Sequence, residues 1–545
     1  MRKYRNRKGT KMEKQIARKK TAGKCLQIEN ADKTYFLTML IFGIIVYFPM
    51  ISQNLVNTYD GLWNGSYFVA QAWELSIGRW LWPVVDFVRF GIQMNPINAL
   101  LMLSMTAFSV TLLRGLFVKK DGVLSYLAGM AFVSGAAVGV RLSYQYMSPI
   151  FGLALLLSVA AACCVAKAEH ATDCACGAVL LALSLGLYQA DLACFCMILL
   201  AYLLKLLFQN AEQKTVHAHI VKSLGSAAAG ILLYWAVLHL ILLFTGVHMA
   251  AYNGADQISV GNILKNLPSA LGRAYQIFGT YFFQNVYKHN MLQEYVFFAV
   301  VFAVMGIGLL CRFGKLIRDK NAEFALLGAA ALLVLPLSCN VMMLISSGAV
   351  WRLQMSSGLN LFVPLLLLLL DGTCPARTER FVKARQIAVL VLAFLVMYGN
   401  VYRMVMDQGA MQRGRDSLRV MSDRIVDDLT DLGYFDAAQQ QSVAFVGRPS
   451  SNPTFVQGKV YESANRYAQI GHFWLDAECA SMSWNGVFGT ITRAPVAICD
   501  DDQYMALLEE EMVAQMPIYP QEGYIRQVDG VLVVKVSEDY KVFED

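Results

Sequence analysis

The chain has 545 residues, of which 57% are hydrophobic and 16% are charged, and its mean hydropathy is +0.45. Soluble domains carry about 25% charged residues, so this composition excludes a soluble globular protein and indicates a membrane protein. The formal net charge of +7 is unevenly distributed, with a basic head over residues 1–34 and an acidic stretch after residue 404. Because a long apolar segment follows the head directly, we interpret the head as a cytoplasmic tail beside anionic membrane lipid and expect no nucleic-acid binding.

The apolar segments predict a polytopic α-helical membrane protein. A spanning helix needs about 20 apolar residues, and about eleven segments meet this requirement. The first segment is too long for a cleaved signal peptide and no small-residue cleavage site follows it, so we expect it to remain as an anchor. The predicted spans are 35–56, 96–118, 123–141, 146–167, 174–189, 191–209, 220–245, 293–312, 322–346, 353–371 and 385–403.

The distribution of lysine and arginine predicts the orientation. The loops at 312–320 and 377–385 are basic, which places them and the N-terminus on the cytoplasmic side. An odd number of spans then places the C-terminus outside. Two long loops, 57–95 and 246–292, fall together on the outer side, and their mixture of apolar, aromatic and polar residues predicts elements that lie in the membrane interface and roof a cavity.

Residues 405–545 differ in character from the apolar region 35–404 and predict a small extracytoplasmic α/β domain. We find no phosphate-binding glycine motif, nucleophile elbow or metal pattern in them, so we expect this domain to cover the cavity or to recognise a partner. Cys479 and Cys499 can pair if the domain is outside, which the sequence leaves open. The predicted elements are an amphipathic helix over 416–434, the strands "SVAFVG" and "APVAICD", the helix "DQYMALLEEEMVAQM", and a turn at Asp529-Gly530 before the strand "VLVVKV".

The stretch "YDGLWNGSYFVAQAWE" after the first span carries two carboxylates. If residues 60–74 form one helix, Asp60, Asn64, Tyr67, Gln71 and Glu74 share a polar face toward the cavity. Asp60 and Glu74 would then lie about 21 Å apart, too far for a paired acid and base. One carboxylate would therefore act alone. The alternative for Asp60 is an N-cap of an interfacial helix.

Three segments carry a resemblance to a known family: "YDGLWNGSYF…GRWLWPVVDFV", "LGLYQADLA" and "MPIYPQEGYIRQVDGVLVVKV". They are similar to the type II glucosyltransferase family of bacterial O-antigen modification, within the GT-C class of membrane glycosyltransferases. The resemblance implies a GT-C-like enzyme of the bacterial cytoplasmic membrane. It would transfer a hexose, often glucose, from a polyprenyl-phosphate donor to an envelope glycan on the outer side. The rival hypothesis is a lipid-linked glycan flippase or transporter.

The resemblance also implies residue roles. The acidic residue after the first helix is the usual catalytic base of GT-C enzymes, which is Asp60 here, with Glu74 as the second candidate. The leaving lipid phosphate needs cations, and we expect Arg141 and Arg352, then Arg79, to bind it, with contact to lipid head groups as the alternative.

The acceptor and cofactor expectations complete the predicted site. Tyr188 and Gln189 form a tight outer turn and, like Tyr67 and Gln71, are candidate acceptor ligands, although Tyr188 and Gln189 are equally explained as a helix cap. We expect no cofactor, find no metal-ligand spacing, and leave a divalent cation open.

Overall fold

The computed structural model describes residues 30–57, 60–64, 67–89, 91, 94–118, 122–283, 292–319, 321–346, 348–370, 379–436, 440–455 and 480–540. Most of the basic head and Cys479 lie outside these residues. The described chain is mostly helical. Its α-helices are Asn30–Val46, Phe48–Ser52, Asp60–Trp63, Ala72–Ser76, Trp82–Arg89, Ile97–Phe117, Val123–Val133, Ala136–Ser143, Ser148–Ala166, Ala171–Leu187, Leu192–Phe208, Gln213–Thr245, Val260–Phe283, Leu292–Arg318, Ala322–Ser338, Val341–Ile345, Ser357–Leu370, Glu379–Asp431, Ala480–Gly486, Asp501–Glu509 and Glu511–Gln515.

Within the described residues, seven helices are long and apolar enough to cross a membrane. Three shorter apolar helices coincide with three further predicted spans. The first predicted span, 35–56, contains two helices. Asn30–Val46 ends before Tyr47, and the short helix Phe48–Ser52 follows it. The prediction of a helical membrane protein is confirmed, whereas the number of spans and the orientation stay predictions. The seven are Ile97–Phe117, Val123–Ser143, Ser148–Ala166, Gln189–Phe208, Gln213–Thr245, Val296–Arg318 and Lys383–Asp431.

The helix Glu379–Asp431 is continuous over 53 residues, which corresponds to about 80 Å. It includes both the last predicted span and the predicted amphipathic helix. The predicted boundary between the membrane region and the C-terminal domain, near residue 404, therefore lies within one continuous helix. Leu418, Ile425 and Leu429, which the sequence placed on the apolar face, are all buried.

Residues 440–540 contain a three-stranded sheet in the order β1-β3-β2. β1 (Val443–Val446) runs parallel to β3 (Val531–Lys535), and β2 (Ile525–Val528) is antiparallel to β3. Asp529 and Gly530 have φ of +48° and +81°, the left-handed values that a two-residue hairpin turn requires. The predicted strand "APVAICD" is wrong, because it contributes only one bridge, between Ile498 and Val443. The predicted helix after it is interrupted at Glu510.

The apolar side chains form separate clusters. The largest joins the membrane helices, and another surrounds the sheet with Phe445, Trp484 and Phe488. The sheet cluster also includes Val56, at the end of the first predicted span, and Leu62, which lies six residues later. The apolar cluster of the C-terminal sheet therefore extends to the segment that carries Asp60.

Candidate active site

A cavity with an empty volume of about 1070 Å³, counting its open mouth, lies beside the two long loops. Residues 77–79 of the first loop and 249–258 of the second both line it. The loops also touch each other, since the Ala250 amide donates to the Ser76 carbonyl at 3.0 Å. Most of the lining is apolar, with a few polar groups, as in sites for organic ligands. The polar lining residues are Arg79, Tyr188, Gln189, Tyr234, Tyr252, Asn253, Ser346, Arg352 and Gln354.

Two arginines bring positive charge to this cavity. Arg79 lies with its guanidinium carbon 5.5 Å from the ring centre of Trp82 and 5.2 Å from that of Tyr188. Its Nε is buried without a hydrogen-bond partner. Arg352 is exposed at the cavity wall. Within the described part of the chain, neither guanidinium has an ion pair, so both are available to an anionic ligand.

Asp60 is the first residue of the short helix Asp60–Trp63, and among the described residues no hydrogen bond to its side chain caps this helix, which was the alternative interpretation. The amide of Gly61 donates instead to Oδ1 of Asn57 at 2.8 Å. No described residue hydrogen-bonds the Asp60 carboxylate, which is partly buried. Burial raises the pKa of Asp60 from 3.8 to about 6, against the opposing charges of Arg79 and Arg352.

The relation of Asp60 to the cavity follows from those charges. Asp60 does not itself line the cavity, but the two arginines whose charges lower its pKa do. A carboxylate with a pKa near 6 is largely ionised at neutral pH and still accepts a proton readily. This arrangement suits a general base that lies beside a site for an anionic group.

Glu74 is buried in the first turn of helix Ala72–Ser76 and has a bonding partner. Its Oε2 accepts from the Gln71 amide at 2.8 Å. Burial raises the pKa of Glu74, while the backbone amides of Gln71 and Glu74 and the charge of Arg79 lower it. The charge of Arg79 therefore acts on Glu74 as it does on Asp60. One carboxylate oxygen of Glu74, however, is already bonded to the backbone amide of Gln71.

The single helix expected over 60–74 is wrong. The chain leaves the helix after Trp63, and residues 67–71 are not helical, because the amides of two of them bond to residues later in the loop. The Phe68 amide donates to the Gly91 carbonyl at 2.9 Å, and the Ala70 amide donates to Oδ2 of Asp86 at 2.9 Å. As a result Tyr67 is 64% exposed, and neither Tyr67 nor Gln71 lines the cavity. Their acceptor role stays a prediction.

Arg141 is fully buried in an ion pair. Its Nη2 and Nη1 donate to the two carboxylate oxygens of Asp191 at 2.7 and 3.1 Å, and its Nε donates to the Gln354 carbonyl at 2.9 Å. The pair satisfies a charge that would be costly inside the membrane region. Arg141 braces the turn at 188–191, and a role in binding the donor stays a prediction.

Gln189 and Tyr234 hold the segment that precedes Arg79. The Gln189 side chain donates to the Ile77 carbonyl at 2.8 Å, and the Tyr234 hydroxyl donates to the Gly78 carbonyl at 3.0 Å. Gly78 has φ of +83°, and a β-carbon there would lie 2.4 Å from the Tyr234 oxygen. This turn therefore requires glycine, and Gln189 has a structural contact in addition to its place on the cavity wall.

Sequence reasoning missed several residues of this region. Tyr146 is buried against Phe68 and Trp82, and the charge of Asp60 contributes to raising its pKa, after burial itself. Asp86 is fully buried, accepts from the Ala70 amide and forms a 2.6 Å ion pair with Arg89. Arg89 lies three residues after Asp86, a spacing that allows an ion pair within one helix, whereas the Ala70 amide and the rings around Tyr146 come from distant segments that no spacing pattern marks.

The comparisons with known proteins give one match. Residues 67–370, more than half of the chain, match the family described as glucosyl transferase GtrII. The match includes Glu74, Arg79 and Arg352, whereas Asp60 and the C-terminal sheet lie outside it. No curated protein and no solved structure matches the chain. In the described residues, no three acidic, histidine or cysteine side chains gather as a metal site, and the question of a divalent cation stays open. The chain belongs to the glucosyl transferase GtrII family, as the sequence resemblance predicted.

Proposed function

We propose that this protein transfers glucose from a polyprenyl-phosphate donor to a hydroxyl group of an envelope glycan on the outer face of the bacterial cytoplasmic membrane. The family supports the glucosyltransferase activity itself. The donor, the acceptor and the side of the membrane are our inference. One observation carries it: the Asp60 carboxylate, partly buried and without a hydrogen-bond or ion-pair partner in the described part of the chain, is acted on by the charges of two cavity arginines.

The residues supply a simple mechanism. The acceptor hydroxyl attacks the anomeric carbon of the sugar, and its proton passes to the Asp60 carboxylate. The bond between the anomeric carbon and the phosphate oxygen breaks, and the electron pair leaves with the polyprenyl phosphate. The phosphate gains one negative charge in this step, which the guanidinium groups of Arg79 and Arg352 stabilise. No general acid is needed, because the phosphate is already a good leaving group.

The same side chains explain how the donor would be oriented. The aromatic rings of Trp82 and Tyr188 fix Arg79 at one end of the cavity. The apolar walls formed by Ile231, Trp235 and Met342 suit the first isoprene units of a lipid. The polar end of the donor then faces the two arginines, whose charges also act on Asp60.

Transfer should be measured with the full chain reconstituted in lipid, radiolabelled polyprenyl-phosphate glucose and an envelope glycan. We expect the wild type to form a labelled glycan and Asp60→Asn to lose at least about 100-fold in kcat. The matched control is Asp256→Asn, since Asp256 is an exposed aspartate of the second loop that does not line the cavity. It should retain wild-type activity.

Two results would overturn the proposal. Full activity in Asp60→Asn would exclude Asp60 as the base. Transfer from a nucleotide-linked glucose, with none from the polyprenyl-linked donor, would exclude the proposed donor class.

For the arginines, Arg352→Gln should raise the KM for the donor, whereas the exposed control Arg526→Gln on β2 should not.

A further inference from the structure

The helix that carries Asp60 touches the C-terminal part of the chain backbone to backbone. It packs on helix Ala480–Gly486, where a β-carbon on Gly486 would lie 2.0 Å from the Leu62 carbonyl oxygen and 2.4 Å from its carbonyl carbon. Ordinary contacts of a β-carbon are 3.4 to 4 Å. The close approach of these two helices therefore requires glycine at 486.

Leu62 anchors the Asp60 helix in the core of the C-terminal sheet. Its side chain is only 2% exposed and belongs to the apolar cluster of Trp484 and Phe488. Trp484 stacks on Phe445 of β1, with ring centres 4.4 Å apart and planes inclined by 22°. An unbroken set of packed side chains thus leads from β1 to the residue two positions after Asp60.

The opposite side of the Asp60 helix contacts the membrane region. A β-carbon on Gly61 would lie 2.8 Å from Cβ of Val56 and 3.1 Å from the Ser143 carbonyl oxygen, which also accepts from the Asn57 amide at 3.1 Å. The helix is therefore held between the end of helix Ala136–Ser143 and helix Ala480–Gly486 of the C-terminal unit. A helix of four residues has no stability of its own, so these contacts determine where it lies.

We infer that Gly486, Leu62 and Trp484 are positioning residues for catalysis, and that the C-terminal unit holds the Asp60 carboxylate against the arginine-lined cavity. The inference rests on the proposed role of Asp60 as the base. It gives the C-terminal unit a part in the chemical step, although none of its residues needs to touch substrate. Asp60 and the C-terminal unit both lie outside the matched family region, and the Asp60 helix contacts that unit where Leu62 meets Gly486.

Gly486→Ala tests this inference in the reconstituted full-length protein. The added methyl group must separate the helices by at least 1 Å, and a displacement of this size costs about 100-fold in kcat. The KM for the polyprenyl-phosphate donor should change less than about twofold, because Arg79 and Arg352 lie on other elements. The control is Gly489→Ala, three residues later, where a β-carbon meets no atom within 4 Å.

The pH profile gives a second readout that a loss of folded protein does not move. In Gly486→Ala the acid limb of kcat/KM for the acceptor should leave the wild-type position near pH 6, since the surroundings of Asp60 change. If Gly486→Ala does not fold, Leu62→Ala and Leu62→Met replace it. We expect about a tenfold loss of kcat for alanine, which empties the pocket beside Trp484, and less than a twofold loss for methionine, which fills it.

Retention of kcat in Gly486→Ala or in Leu62→Ala, or a loss carried by donor KM alone, would overturn the inference. Those results are distinguishable from a failure of the proposed function. If Asp60→Asn is fully active, the base is wrong and the positioning argument falls with it. If Asp60→Asn is inactive while Gly486→Ala matches the wild type, the base stands and only the positioning role is excluded.

Discussion

Replacing Arg352 by glutamine is expected to move the acid limb of the activity profile to higher pH. The active form of a general base is the ionised one, and the positive charge of Arg352 lowers the pKa of Asp60. Removing that charge raises the pKa above its value of about 6. Activity is then lost at a higher pH on acidification than in the wild type.

The size of the wild-type effect follows from the same value. With a pKa of about 6, Asp60 is about nine-tenths ionised at pH 7, half ionised at pH 6 and about one-tenth ionised at pH 5. The kcat/KM for the acceptor should therefore fall about tenfold between pH 7 and pH 5. The ordinary aspartate value of 3.8 would leave kcat/KM almost constant over this interval.

The assay is the initial rate of glycan labelling at limiting acceptor, measured from pH 4.5 to 8.5 at constant ionic strength. Arg352→Lys is the matched control, because it keeps the charge and should keep the limb near pH 6. The reasoning is refuted if Arg352→Gln and the wild type share one limb, or if the lysine variant shifts as far as the glutamine variant.

Three further predictions concern stability and binding. Because burial raises the pKa of Asp60 from 3.8 to about 6, the free energy of unfolding falls as pH rises through that interval. Asp60→Asn should therefore stabilise the protein at pH 7 by up to about 3 kcal/mol while abolishing transfer. A thermal midpoint lower than that of the wild type would contradict this. Tyr234→Phe removes the hydrogen bond to the Gly78 carbonyl, which holds the segment before Arg79. The KM for the donor should therefore rise about fivefold with little change in kcat. An unchanged KM in the same assay would show that this bond does not position Arg79. Arg141→Met should lower the free energy of unfolding by about 3–5 kcal/mol, because it leaves Asp191 buried without its ion pair. Adding Asp191→Leu should recover part of this free energy. Equal thermal midpoints of the single and double variants would exclude the pairing effect.

The sequence was most informative where one local pattern determines the outcome. Apolar runs of about 20 residues predicted the membrane helices, and Asp529-Gly530 predicted the hairpin turn, because both signals depend on neighbouring residues only. The apolar face with Leu418, Ile425 and Leu429 was likewise predictable from helical spacing.

The first loop shows where local patterns fail. The spacing of Asp60, Tyr67 and Glu74 fitted a helix, but the amides of Phe68 and Ala70 bond to residues about twenty positions away. Periodicity contains no information about such partners. In the same way, Arg141 and Arg352 looked alike at the ends of apolar segments, and only the fold shows that Arg141 is paired with Asp191 while Arg352 lines the cavity.

The continuous helix Glu379–Asp431 couples the height of the C-terminal sheet to its rotation. Each added residue would lift the sheet by 1.5 Å and turn it by 100°. An insertion of one residue would therefore turn Leu418 away from its apolar cluster, whereas seven residues, close to two full turns, would nearly restore its direction at a height about 10 Å greater. Because helix Ala480–Gly486 of the C-terminal unit packs on the Asp60 helix, the length of helix Glu379–Asp431 fixes the level at which the C-terminal unit meets Asp60.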